Sequence, residues 1–171
     1  MTETVYLDIN RCSGCQACVV ACLDQNDLLD RKRHDFWRQV FKVEKGTFPE
    51  VKISFLSIAC MHCQETPCVL GCPTGAIYKD DETGVIRVRQ EFCLGCHSCS
   101  LACPFGVPRF DNQGKMEKCQ MCVERIDSGL EPACVHTCPT KALKFGEINE
   151  LSQEIEVKVS AKILSAMSKA G

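Results

Sequence analysis

Cysteines dominate the chemistry that this chain can do. Sixteen occur among 171 residues, and they fall into four groups of four. Cys12, Cys15, Cys18 and Cys22 form the first group; Cys60, Cys63, Cys68 and Cys72 form the second. Cys93, Cys96, Cys99 and Cys103 form the third; Cys119, Cys122, Cys134 and Cys138 form the fourth. Pro73, Pro104 and Pro139 directly follow the last three groups. The first and third groups have the spacing C-x2-C-x2-C-x3-C. Two residues between thiolates let a tight loop reach three corners of one [4Fe–4S] cubane, and the fourth cysteine, one helical turn on, faces a second cluster. Sixteen thiolates then divide into four [4Fe–4S] clusters.

Other uses of the cysteines fit less well. Zinc favours two separated C-x2-C pairs, and a third cysteine two residues later crowds one tetrahedral ion. A disulfide framework suits short secreted chains. Met1-Thr2-Glu3-Thr4 shows no basic n-region, and no apolar h-region follows. The expected compartment is therefore the cytoplasm, although a partner with its own export signal could carry the chain across a membrane.

Only 6% of the residues are aromatic, so clusters are expected to replace part of an ordinary core, and the apo chain is expected to be largely unfolded. The formal charge of −2 counts every thiol as neutral; four oxidised cubanes would bring it near about −10. Backbone N–H groups and nearby Lys or Arg must offset that charge. The chain is not basic enough to suggest nucleic acid, and no apolar stretch reaches the roughly 20 residues of a membrane span.

Two internal repeats show what must position the ligands. Arg11-Cys12-Ser13-Gly14-Cys15 through Cys22 matches Phe92-Cys93-Leu94-Gly95-Cys96 through Cys103 at an offset of 81. Each follows a strand-like stretch, Val5–Ile9 or Val85–Val88. Cys72-Pro73-Thr74-Gly75-Ala76-Ile77 matches Cys138-Pro139-Thr140-Lys141-Ala142-Leu143 at an offset of 66. Groups two and three thus make one complete two-cluster unit. The end of group four joined to the start of group one would make another.

The expected fold is α+β: two bacterial-type 2[4Fe–4S] ferredoxin-like units, one inserted between the halves of the other. The first unit takes residues 1–23 and 104–146, the second takes 57–103, 24–56 form a connecting hairpin, and 147–171 a C-terminal docking tail. Cluster A is then held by Cys12, Cys15, Cys18 and Cys138, and cluster B by Cys22, Cys119, Cys122 and Cys134. Cluster C takes Cys60, Cys63, Cys68 and Cys103, and cluster D takes Cys72, Cys93, Cys96 and Cys99. A tandem pairing, group one with two and three with four, stays open. Gly14 and Gly95 are expected to allow close approach of backbone to cluster.

In the linker, Phe36 to Phe55 read as two short strands joined near Gly46. Trp37 reads as a packing residue. Arg31-Lys32-Arg33-His34 reads as a solvated loop, with a docking patch for an acidic partner as the sharper option. In the tail, Ile155, Val157 and Val159 alternate like a strand, while Ile163, Leu164 and Met167 suit a helical stripe; 154–160 stay undecided.

His34 lies outside the cysteine groups. His62, His97 and His136 lie inside them, where an N–H could bond a cluster sulfur. The reading taken for His62 and His136 is a loop residue with its ring in solvent; for His97 both readings stand. Lys118, Lys115 and Arg109 read as surface charges, with a role in raising a cluster potential left open. No G-x-G-x-x-G and no Walker loop is present, so no catalytic residue and no cofactor beyond the clusters is expected.

Taken together, Ser57-Ile58-Ala59-Cys60-Met61-His62-Cys63, Cys72-Pro73-Thr74-Gly75-Ala76, Cys103-Pro104-Phe105-Gly106, Lys118-Cys119-Gln120-Met121-Cys122 and Cys138-Pro139-Thr140-Lys141-Ala142-Leu143 resemble a known family. It is the four-cluster iron–sulfur subunit of the dimethyl sulfoxide reductase type of molybdenum or tungsten enzyme, and the resemblance runs from residue 4 to about 150. Some members lack one cysteine of the third group and carry a [3Fe–4S] cluster. Here all four are present, which implies four [4Fe–4S] clusters. The resemblance implies a non-catalytic electron-transfer subunit of an oxidoreductase complex in anaerobic metabolism. Its partners would be a molybdenum- or tungsten-pterin catalytic subunit and a second redox subunit, a flavoprotein or a membrane anchor. The alternative is a free polyferredoxin carrier, or a wire for a hydrogenase, flavin or tungsten aldehyde oxidoreductase complex.

Overall fold

A computed structural model of the chain describes residues 3–169. Eight short strands pair as four antiparallel hairpin-like ribbons: β1 (Glu3–Leu7) with β8 (Leu143–Glu147), β2 (Gln39–Lys45) with β3 (Lys52–Ile58), β4 (Ile77–Lys79) with β5 (Ile86–Val88), and β6 (Arg109–Phe110) with β7 (Met116–Glu117). Short helices lie between them: α1 (Ala17–Gln25), α2 (Pro67–Leu70), α3 (Ser98–Ala102), α4 (Val123–Asp127) and α5 (Ala133–His136), and a long α6 (Ile148–Lys169) follows β8. Two-stranded ribbons are marginal by themselves, so each depends on what packs against it.

The sequence repeats reappear as backbone geometry. At the offset of 81, the 3-10 turn Ile9–Arg11 corresponds to Gln90–Phe92. Gln16 and His97, equivalent residues, both sit at φ 63° ahead of a helix. At the offset of 66, α2 corresponds residue for residue to α5, and β4 begins where β8 begins. The same hydrogen bond closes both arrangements: Asp8 N–H donates to Ala142 C=O, and Arg89 N–H donates to Ala76 C=O, each at 2.8 Å. Only the order along the sequence differs. β4 and β5 are consecutive, whereas β1 and β8 come from opposite ends of the described residues.

Two buried clusters of side chains follow. One joins Val19, Leu23, Leu28 and Trp37 to Val135, Ala142 and Leu143, with Cys18, Cys22, Cys134 and Cys138 among them. The other is small, built on Ile77, Ile86, Cys99 and Met116. Met116, from β7, thus packs under the β4–β5 ribbon. Trp37 packs inside the first cluster. Arg31 is paired with Glu117 at 3.1 Å rather than simply solvated, while Lys32, Arg33 and His34 are exposed.

Residues 154–160, undecided between strand and helix, are helical within α6. The alternation of Ile155, Val157 and Val159 falls within this continuous helix and pairs with no strand. Glu147 caps the helix start by accepting from Asn149 N–H at 2.9 Å. Glu154 pairs with Lys158 one turn on at 2.9 Å and with Lys144 of β8. Val157 and Val159 are exposed, and the side chains of Ile163 and Leu164 lie outside the described residues. No described helix is long and apolar enough to cross a membrane.

Gly14 and Gly95 are required by packing as well as by backbone. Both have positive φ, +72° and +67°, a region that costs other residues about 1–2 kcal/mol. A Cβ on Gly14 would run into the Phe55 ring, and one on Gly95 would lie 2.6 Å from the Gly114 carbonyl oxygen. Gly75 has φ +64° and open space around it. Gly95→Ala is therefore expected to lower the unfolding temperature of the cluster-loaded protein clearly more than Gly75→Ala. Anaerobic thermal unfolding of the two variants checks this; equal losses would mean that only φ matters.

Candidate metal centres

Helical turns place the cysteines. Cys18 and Cys22 stand one turn apart on α1, and Cys99 and Cys103 are linked by a 3.1 Å backbone bond at the end of α3. On α2 and α5 the turn carries Cys68 to Cys72 and Cys134 to Cys138. Side chains one turn apart share a helix face and lie about 5–6 Å apart.

Three cavities result, and in each three cysteines of one group meet one of another, with Cys60 as a fifth in the second. Cys12, Cys15, Cys18 and Cys138 line a space of about 310 Å³ closed by Leu7, Val40, Ala142 and Leu143. Cys22, Cys119, Cys122 and Cys134 line one of about 410 Å³ with Trp37, Met121 and Pro132. Cys72, Cys93, Cys96 and Cys99 line a third of about 320 Å³ under Ile77, Phe110 and Met116. Of the remaining four, Cys60 and Cys103 both lie within electrostatic range of Cys68, and Cys63 is half-buried. Cys60 also lines the cavity of Cys119.

This donor set fits iron–sulfur clusters. Thiolate is their ligand, and the walls are apolar. Among the described residues no three His, Cys, Asp or Glu form a group able to hold a single ion. Zinc would need its thiolates drawn in to about 2.3 Å.

The electrostatics of the thiols divide them. Burial pushes Cys60, Cys99 and Cys134 up to about 11, and Cys22 further still. Burial also acts on Cys72 and Cys138, but there it is outweighed by hydrogen bonds. Backbone N–H groups from Ile77 and Leu143, with the hydroxyls of Thr74 and Thr140, hold these two thiols low. The equivalence again follows the 66-residue repeat. Ser98 holds Cys96 low through its hydroxyl and its N–H. Met116 and Met121 N–H groups donate to Cys93 Sγ and Cys119 Sγ, each at 3.4 Å. Cys15 and Cys96 are the only two exposed cysteines.

Two buried cations stand among the thiols. Arg38 is 5% exposed, and its guanidinium donates to Ser57 Oγ at 3.0 Å. Burial works against its charge, but the surrounding thiolates of Cys134, Cys119, Cys18 and Cys22 outweigh that and hold it protonated. Lys118 is 3% exposed and donates to the carbonyls of Ile86 and Cys119. Lys118 is therefore not a surface charge: the loop before Cys119 folds under β5. Lys115 and Arg109 hold turns instead, donating to Gln90 C=O at 2.8 Å and to Gly106 C=O at 2.7 Å.

His62 is not a solvated loop filler. It is buried, and its Nδ1 accepts from Ile86 N–H at 3.0 Å. Burial first, and Lys118 second, keep it neutral, so its proton sits on Nε2, which has no partner among the described residues. His97 stacks on Phe110 at 3.7 Å between ring centroids, and His136 is exposed. Arg38 has no motif to mark it in the sequence, and Ser57, though it opens the segment Ser57–Cys63, shows nothing local of its bond to a buried guanidinium. The one available signal is a cation directly after the lone tryptophan, and nothing local shows that it is buried.

Because iodoacetamide attacks thiolate, reactivity should follow exposure and these pKa directions. On partial oxidative cluster loss at pH 8, Cys96 should be alkylated well before Cys134 and Cys22, as peptide mass mapping would show. Equal rates would contradict the burial described here.

Comparison with known proteins agrees with the donor set. Residues 51–148 match the 4Fe-4S dicluster domain family model. The sequence is 38% identical to that of a sulfite dehydrogenase subunit from Allochromatium vinosum, with 93% of this chain and 75% of that protein covered. It is 36% identical to one component of the anaerobic dimethyl sulfoxide reductase of Escherichia coli K12, covering 87% of this chain and 75% of that one. The thiosulfate reductase electron transfer subunit of Salmonella typhi is 43% identical, with 84% and 74% covered. The protein therefore belongs to the 4Fe-4S dicluster family, among the iron–sulfur subunits of dimethyl sulfoxide reductase-type enzymes.

Proposed function

We propose that the chain is the electron-transfer subunit of a molybdenum- or tungsten-pterin oxidoreductase and holds four [4Fe–4S] clusters. Clusters of this type supply single-electron transfer when bound. The observation that carries the reading is the sorting of the cysteines: two cavities gather four each in a three-plus-one pattern, and another gathers such a set with Cys60 beside it. The ligand sets are then Cys12, Cys15, Cys18 and Cys138 for cluster A; Cys22, Cys119, Cys122 and Cys134 for B; Cys60, Cys63, Cys68 and Cys103 for C; and Cys72, Cys93, Cys96 and Cys99 for D.

The nested arrangement goes with these sets. One ferredoxin-like unit comprises residues 1–23 and 104–146, and the second, 57–103, is inserted between its halves. The pairing of β1 with β8 across the insertion, beside the local pairing of β4 with β5, supports it. Neighbouring sets touch in the order A, B, C: Cys134 feels Cys18, and Cys60 feels Cys119. C and D share the turn from Cys68 to Cys72. The exposed Cys15 and Cys96 then belong to the end members, where partners must approach.

An obligate subunit is favoured over a free carrier by the hairpin β2–β3. Phe41, Val43, Phe48, Val51 and Ile53 are exposed along it, Phe48 by 91%. Such a patch marks an interaction surface rather than a freely diffusing one. The partners are then a pterin catalytic subunit and a second redox subunit.

Two measurements test this. Cys138→Ser should damage the cluster held by Cys12, Cys15 and Cys18 and leave that of Cys119, Cys122 and Cys134 intact, read by iron content and EPR; the reverse loss would refute the crossed ligation. Anaerobic purification of the native complex should give about 16 iron per copy with stoichiometric molybdenum or tungsten. The same iron in a chain running alone would instead establish the carrier.

A further inference from the structure

Arg38 directly precedes β2 and Ser57 lies in β3, where the hairpin meets the start of the second unit, yet both reach the thiols of the first. Ser57 pairs with Val40 across the hairpin, so the two residues meet at its open end, against α1. A guanidinium only donates hydrogen bonds, so Ser57 Oγ accepts from Arg38 at 3.0 Å. The hydroxyl proton is left for the other neighbour, Cys18 Sγ, at 3.4 Å. A ligating thiolate only accepts, so the direction of the relay is fixed: guanidinium to hydroxyl to sulfur.

No carboxylate pairs with Arg38 among the described residues. A buried cation without a counter-ion is strongly unfavourable, yet this one is nearly inaccessible. The negative groups around it are sulfurs, three from one proposed ligand set (Cys22, Cys119 and Cys134) and one from the other (Cys18). We propose that Arg38 is the built-in counter-cation of clusters A and B, that it raises the reduction potential of both, and that Ser57 delivers part of this effect to cluster A through Cys18. The inference rests on the ligand sets given above.

The sign follows from charge. One-electron reduction makes each cluster more negative by one unit, so a fixed cation nearby stabilises the reduced form more than the oxidised form. Low dielectric magnifies the difference. The thiols that act most strongly on Arg38 all belong to sets A and B, so its effect there should exceed that on C and D. Lys118 occupies the comparable position by Cys60 and Cys68.

The test is an anaerobic EPR redox titration of the intact complex carrying Arg38→Gln, Arg38→Lys or Ser57→Ala, with iron counted in each. With Arg38→Gln, two of four potentials should fall, each by at least tenfold in the reduction equilibrium, about 59 mV. The other two should move clearly less. Arg38→Lys should restore most of the fall. Ser57→Ala should lower one potential alone, and by less. Full iron with unmoved potentials, or an equal shift of all four, would overturn the proposal. If Arg38→Gln loses iron, Ser57→Ala decides, because it keeps the buried cation in place; an unmoved potential there refutes the relay. Fewer than four titrating clusters in the unaltered complex would instead refute the ligand sets.

Discussion

Negative sulfur has to be held inside a small protein, and the rest of the architecture answers to that. Burial alone pushes thiols such as Cys22 and Cys134 upward, toward the protonated form that cannot ligate. The fold offsets this in two ways. Backbone N–H groups turn toward sulfur where the loops are tight, as at Cys72 and Cys138. Where amides do not suffice, a cation is buried among the thiols, as with Arg38 and Lys118. Both devices cost stability unless the sulfur is charged, which ties folding to cluster loading.

The same constraint explains the shortness of the elements. α2 and α5 are single turns of four residues, far too short to persist alone. Their task is to separate two cysteines by one turn and to present N–H groups at the next bend. The ribbons are equally brief, and their partners are apolar side chains packed around cysteine. Ile86 and Met116, each 1% exposed, anchor the smaller buried cluster with Cys99 beside them.

The β2–β3 hairpin carries two kinds of residue. Its open end, at Arg38 and Ser57, points inward to the first unit's thiols, and Phe55 fills the space over Gly14. Its far end carries exposed apolar side chains such as Phe48. One element thus links the environment of the ligands to the surface that a partner would cover.

How much of this was legible depends on whether the cause is local. The one-turn separation of the cysteines and the two repeats follow from spacing, because the geometry of a loop or a helical turn is fixed by a few consecutive residues. So do the α+β class and the strands flanking each repeat. The glycine positions could be marked, but not the reason for them: Phe55 and Gly114 approach from segments far along the chain. The alternation in 155–159 pointed equally to a strand because a pattern over so few residues cannot show that they continue a helix begun at Ile148. Burial of His62, Lys118 and Arg38 was decided only by tertiary structure. Each is a polar residue whose partners are an Ile86 amide or carbonyl, a Ser57 hydroxyl or a set of thiols brought in from elsewhere, and no stretch of sequence records which distant groups will exclude water from it.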